Sequence, residues 1–172
     1  MTKEPSITEL VLAAQSGDAK AFESLHRLFG RMVHGLLLSR MSRADAEDLV
    51  QDVFLQAWQK LPALREPKAF GSWLARLTRN CRSDFYRSKK SSSPLPESLE
   101  SQVNPDIEAR EILDIIRSLP ETDCEILILR LVEGFSGPEI AEKTGRTPGS
   151  TRVQLHRSMT LLRSRLGMGV KQ

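Results

Sequence analysis

The sequence predicts an all-α protein made of two small helical domains joined by a flexible linker. Apolar residues recur at three-four spacing along most of the 172 residues, the period at which a helix returns to one face. Ser, Thr or Asp precedes these runs, often with an acid three residues on, and Pro or Gly follows them, which are helix start and stop signals. A third observation divides the chain: from Ser88 to Pro105, Ser, Pro and Glu replace every periodic apolar pattern, as in a tether. Aromatics are 5% of the residues against 40% hydrophobic in all, so the core is expected to be Leu, Val, Ile and Ala carried on helices. The expected boundaries are a first domain over 7–90, a linker over 91–105 and a second domain over 106–168.

Each element has its own signal. Ser6 with Glu9 forms a capping box for a first helix, and Gly17-Asp18 breaks it before a second helix from about 19 to 40. Ser42 with Asp45 starts a third, which reaches Lys60 before Pro62 stops it. The loop LPALREPK leads into a fourth from about 69 to 88. Beyond the linker, Pro105-Asp106 starts a helix ending near Leu119, and Pro120 opens the next, with Thr122 and Glu125 as its capping box. Ser136 with Glu139 caps a short helix to about Thr144, and Thr147-Pro148 opens the last, which runs to about Leu166.

The net charge of +3 hides an uneven distribution. Residues 65–90 carry eight basic residues against Glu66 and Asp84, and residues 143–165 carry six with no acid. By contrast 44–55 holds Asp45, Glu47, Asp48 and Asp52 with no base. Two basic stretches imply two contacts with a polyanion and the acidic block a different partner, although solvated helix faces would look the same. No apolar stretch approaches the roughly 20 residues of a membrane span, and the first residues lack the apolar core of a secretory signal. No membrane insertion and a cytoplasmic location are therefore expected. Cys81 and Cys124 make neither a disulfide framework nor a zinc site, and His26, His34 and His156 have no partner at ligand spacing, so no metal or other cofactor is expected.

The faces of the helices point to binding. Residues 136–158 have the layout of a helix-turn-helix. In its second helix Thr151, Leu155, Ser158, Leu162 and Leu166 cluster inward, whereas Val153, His156, Arg157 and Thr160 point outward, flanked by Ser150, Arg152 and Gln154. Outward Arg residues neutralise phosphates and the early residues reach base edges. In the third helix Ala46, Leu49, Val50, Val53, Phe54, Ala57, Trp58 and Leu61 form a buried stripe, opposite a polar ridge of Asp45, Asp48, Asp52, Gln56 and Gln59 that includes Leu55. An acidic ridge with one apolar anchor suits a protein partner, although one exposed Leu is also ordinary. The fourth helix buries Phe70, Trp73, Leu74, Leu77, Cys81 and Phe85 and presents Ser72, Arg76, Arg79, Ser83 and Arg87, with Asn80, Arg82 and Tyr86 at the margins. Such a face suits a partly unstacked nucleic-acid strand; Tyr86 is either a stacking ring or a partly buried one at a helix end.

An ordinary helix-turn-helix regulator accounts for 136–158 but needs neither the acidic ridge nor the basic fourth helix. A nucleic-acid enzyme needs a converging acidic cage, whereas Asp45, Asp48 and Asp52 form a ridge. DAEDLVQDVFLQAW (45–58), FGSWLARLTRNCRSDFYR (70–87) and the 119–158 segment closely resemble the extracytoplasmic-function sigma factors of the sigma-70 superfamily. The resemblance implies a promoter-recognition subunit of RNA polymerase that catalyses nothing, with region 2 over 7–90 and region 4 over 106–168. It implies docking on the β′ clamp helices through Asp45, Asp48, Leu49, Gln51, Asp52 and Leu55, and on the β flap through region 4. It further implies −10 recognition and melting through Arg76, Arg79, Asn80, Arg82, Ser83 and Arg87, and −35 recognition through Arg146, Ser150, Arg152, Val153, Gln154, His156 and Arg157. An anti-sigma partner is also implied. The family's Gly-Thr-Val-Lys-Ser-Arg-Leu run appears here as Gly149-Ser150-Thr151-Arg152-Val153-Gln154-Leu155, which bears on phosphate affinity and −35 preference. The linker is expected to leave the two domains unregistered until polymerase fixes them.

Overall fold

The computed structural model describes residues 5–92 and 107–167. The expected linker lies outside them apart from Ser91 and Ser92, as do the Pro105-Asp106 helix start and Met168. The described residues form eight α-helices: α1 (Ile7–Gln15), α2 (Ala19–Leu38), α3 (Arg43–Lys60), α4 (Phe70–Ser92), α5 (Ile107–Arg117), α6 (Glu121–Leu131), α7 (Gly137–Thr144) and α8 (Pro148–Arg165). No strand occurs among them. Two short 3-10 turns, Leu61–Ala63 and Pro67–Ala69, link α3 to α4. The Gln15 side-chain amide holds that link by donating to the carbonyls of Leu61 (3.0 Å) and Leu64 (2.7 Å).

Local chemistry sets most helix starts. Capping boxes form at Ser6 with Glu9 and at Ser136 with Glu139, and Asp18, Ser42 and Thr147 cap α2, α3 and α8 through their side-chain oxygens. The turn between α7 and α8 is closed by Gly145 at φ 71°, a left-handed position that admits glycine without a Cβ clash. The expected Thr122–Glu125 capping box does not form. Pro120, which has no side-chain acceptor, occupies the N-cap, and the helix starts at Glu121 rather than after Thr122. Glu125 is thereby carried a full turn into α6, where it is buried and faces α4.

The expected independence of the two halves is also corrected. α2 packs on α6 and α4 packs on α7, and the buried side chains of both halves form one continuous cluster. Periodicity shows that Ile126, Leu127, Ile128 and Leu129 must be buried, but not against what. α6 buries all four by lying between α8 and α2. The seam is close because glycines line it. A Cβ on Gly35 would come within 2.9 Å of Leu129 Cδ2 and Glu133 Cγ, and one on Gly71 would come within 2.2 Å of the Lys143 carbonyl oxygen. Reciprocal arginines tie the seam together. Arg40 donates to the carbonyls of Arg117 (2.8 Å) and Leu119 (3.0 Å), while Arg117 donates to those of Leu38 (3.1 Å) and Met41 (3.1 Å). Each cation thus satisfies carbonyls left open at the other half's helix end.

Candidate nucleic-acid and protein interfaces

Three helix faces carry the expected site residues. On α3 the inward stripe of Ala46, Leu49, Val53, Phe54 and Ala57 is buried. Asp48, Gln51, Asp52 and Leu55 project together as an exposed ridge, and Leu55 is 58% exposed. Leu49 departs from the expected docking set: at 6% exposure it belongs to the core, because it lies on the stripe side of the helix. Asp45 is half-buried; it accepts the Ser42 hydroxyl at 2.9 Å and lies 3.5 Å from Lys89 Nζ, so it secures the start of α3 against α4.

The expected α4 set divides. Arg76, Asn80, Ser83 and Arg87 are exposed along one ridge. Ser83 donates to the Arg79 carbonyl at 3.0 Å, and Arg87 pairs with Asp84 at 3.0 Å. Arg79 and Arg82 instead turn into the seam. Arg79 donates through Nε (3.0 Å) and Nη2 (2.7 Å) to the buried Glu125 carboxylate, a bidentate contact that raises the guanidinium pKa further. Arg82, with 8% of its side chain exposed, donates to the Leu36 carbonyl (2.9 Å), to Ser39 Oγ (3.1 Å) and to Glu121, and lies 3.6 Å from Glu125. Its place is one turn beyond the buried Thr78, on the flank that meets α6 rather than on the outward ridge. Tyr86 does not stand free: its hydroxyl donates to the Arg40 carbonyl and its ring edge meets Phe85.

α7 and α8 form the helix-turn-helix. Thr151, Ser158 and Leu162 are buried inward. Ser150, Arg152, Val153, His156 and Arg157 are exposed on the outer side, with Val153 59% exposed. Arg146, in the turn, is half-buried. Gln154 departs from the expected outward set. Its amide donates to Asp123 Oδ1 at 2.8 Å, and Ser158 Oγ donates to the same oxygen at 2.5 Å, so Gln154 pins α8 to α6.

Residues that pattern reading missed are Glu121, Glu125 and Lys143. A lone acid inside the apolar run Cys124–Leu129 is the signal that would have found Glu125, since a buried charge requires a partner. Lys143 contributes to the basic count of 143–165, yet it is spent in the seam. Its ammonium lies 5.0 Å from the Phe29 ring centre and 5.5 Å from that of Phe135, and it donates to the Leu28 carbonyl at 2.6 Å. Burial pushes its pKa down.

Comparison with known proteins agrees with this architecture. Residues 25–92 match the family model Sigma-70 region 2, and residues 109–162 match Sigma-70, region 4. A relative from Bacillus subtilis, RNA polymerase sigma factor SigZ, is 35% identical over 70% of this chain and 72% of its own. The ECF RNA polymerase sigma-E factor of Haemophilus influenzae is 28% identical over 96% of this chain and 98% of its own. A probable RNA polymerase sigma factor of Xanthomonas campestris, RfaY, is 31% identical over 72% of this chain, which spans 34% of that protein's length. Among solved structures, CnrH in complex with the cytosolic domain of CnrY gives a TM-score of 0.63 at 23% identity, covering 95% of this chain and 99% of that one. RpoE in complex with the anti-sigma factor NepR, from Bartonella quintana, gives 0.59 at 22% identity, covering 90% of this chain and 100% of that one. These two show a shared fold. The chain belongs to the sigma-70 family of RNA polymerase sigma factors. Within that family it is of the extracytoplasmic-function type.

Proposed function

We propose that this chain docks on core RNA polymerase through the α3 ridge and directs it to a two-part promoter, itself catalysing no reaction. Asp48, Gln51 and Asp52 steer the ridge to a basic surface on the β′ clamp helices and Leu55 supplies the apolar anchor, while Leu49 and Asp45 hold the ridge in shape from beneath. The 7–90 domain reads the −10 element through the exposed α4 ridge of Arg76, Asn80, Ser83 and Arg87, joined by Arg79 and Arg82. The 106–168 domain reads the −35 element through Ser150, Arg152, Val153, His156 and Arg157, with Arg146 at the turn, and also meets the β flap. Residues 91–105 tether the two. The place of action is the cytoplasm, where polymerase is. No helix among the described residues is long and apolar enough to cross a membrane. An anti-sigma factor is a further partner; NepR, bound to RpoE in one of the similar structures, supports this.

The observation that carries this reading is the presence, in one chain, of an exposed acidic ridge with a single apolar anchor on α3 and an exposed Arg-bearing outer face on α8. A DNA-binding regulator uses the second and has no need of the first. Transcription from a promoter library with purified core enzyme, together with pull-down of core by Asp48→Lys and Asp52→Lys, tests it. Promoter-dependent transcripts with the parent chain, and loss of core binding in both reversals, are expected. Undiminished core binding by both variants would exclude the α3 dock.

A further inference from the structure

We propose that Val153 selects one thymine of the upstream promoter element by packing its methyl groups on the base's C5-methyl in the major groove. The inference rests on the −35 assignment of α8 and adds a base that this chain reads.

Val153 lies within the first two turns of α8, the part of a recognition helix that meets base edges. At about 100° per residue it takes the centre of the outward face, with Gly149 a turn before it, Arg157 a turn after, and Ser150 and His156 to either side. All five are exposed. A Cβ on Gly149 would meet nothing within 4 Å, so the turn before Val153 is bare and the helix can seat closely with Val153 as its leading side chain. At 59% exposure Val153 is the most exposed large apolar side chain among the described residues, and its neighbours on that face are glycine or polar. One exposed valine is ordinary on a solvated surface. At the centre of a face flanked by Arg152 and Arg157, it meets whatever those cations bring in.

The side-chain chemistry then narrows the base. Valine has no hydrogen-bonding group. In the major groove adenine, guanine and cytosine present donors and acceptors, and thymine alone adds a methyl. Against valine a polar edge loses water without gaining a partner, whereas the thymine methyl gains apolar burial. An adjacent amide could override that preference, but Gln154 is withdrawn: it donates to Asp123 Oδ1 at 2.8 Å and to Ser158 Oγ at 3.3 Å. Arg152 and Arg157 fix the helix on phosphates, which carry no sequence information. The arginines thus set affinity and Val153 sets preference.

The test assembles the full chain with core RNA polymerase on a promoter recovered from the library. Each thymine of the upstream element, on both strands, is replaced in turn by deoxyuridine, which pairs alike but lacks the methyl. Binding is read by anisotropy across a salt series for the parent, Val153→Ser and Val153→Thr, with helix content checked by circular dichroism. In the parent, one such replacement should weaken binding about fourfold, the worth of one buried methylene-sized group. Val153→Thr retains a methyl and should keep the effect; Val153→Ser should lose it, and both should keep the parent's salt slope. A parent insensitive to uracil at every position overturns the proposal, as does an upstream element without an A·T pair. A uracil effect that persists in Val153→Ser assigns the methyl to another residue and overturns it too. Arg152→Ala and Arg157→Ala in the same titration separate the two readings. Unchanged salt slopes and footprints in both remove the −35 assignment and Val153 with it, whereas flattened slopes without a uracil effect strike Val153 alone.

Discussion

Leu49 and Leu55 lie six residues apart on one helix and answer opposite questions. Leu49 is 6% exposed and packs in the core; Leu55 is 58% exposed on the acidic ridge. Leu49→Ala removes buried atoms and leaves a cavity, which costs about 3 kcal/mol of folding stability. For a chain of this size that lowers the melting temperature by roughly 6–12 °C. Leu55→Ala has little buried surface to lose in the free chain, so its melting point should stay within about 2 °C of the parent's, a surface change of ~0.5 kcal/mol. Its cost appears when a partner covers it. Desolvating a leucine contributes about 1.5–3 kcal/mol, and a little over half of that remains to be gained here, so core polymerase should bind about five- to twentyfold more weakly. Calorimetric melting gives the first quantity, and fluorescence titration of labelled chain with core enzyme gives the second. Parental affinity in Leu55→Ala would refute the anchor, and a melting loss equal to that of Leu49→Ala would refute the claim that Leu55 is outside the core.

The remaining expectations concern α7 and α8. Arg152→Ala and Arg157→Ala should each flatten the salt dependence of duplex binding by about 0.9, one phosphate contact apiece; Gln154→Ala should leave that slope unchanged, because its amide is committed to Asp123. Both are read from footprint or anisotropy titrations at several salt concentrations. Glu139 is held below the usual carboxylate range by hydrogen bonds from the Ser136 side chain and backbone. A depressed acid stabilises the fold above its unfolded pKa and loses that contribution as pH falls through the folded one. The α7 cap should therefore loosen only at pH values below the ordinary glutamate range, and Ser136→Ala should return the Glu139 titration, followed by NMR of its side-chain carboxyl, toward the ordinary value.

The local part of this fold was legible in the sequence because its causes are local. Ser6, Asp18, Ser42, Ser136 and Thr147 each accept bonds from residues two or three ahead, and the α3 stripe follows from helix period alone. Failures occur where a residue's partner lies far along the chain. Thr122 and Glu125 have capping-box spacing, but the Glu125 partners are Arg79 and Arg82, more than 40 positions away. Arg82 resembles any other helix-margin arginine until α6 is laid beside it. Gln154 reads as outward by angle, yet Asp123 draws it inward across a gap of 31 residues. Periodicity assigns a buried face but is silent on its partner, so the α6 apolar run fits a small independent domain as well as the seam that forms.

That seam sets buried ion pairs beside a continuous apolar cluster. An interface closed by apolar residues alone would gain stability in proportion to buried area and would yield to no particular competitor. A buried ion pair contributes little net stability, because desolvation cancels much of the attraction, but removing either partner leaves an uncompensated charge. Arg79 and Arg82 are therefore costly to leave unpaired. Glu121 stands in the first turn of α6, where negative charge is favourable, whereas Glu125 lies one turn further in. The helix end thus favours Glu121 by itself, while the buried Glu125 depends on Arg79 and Arg82.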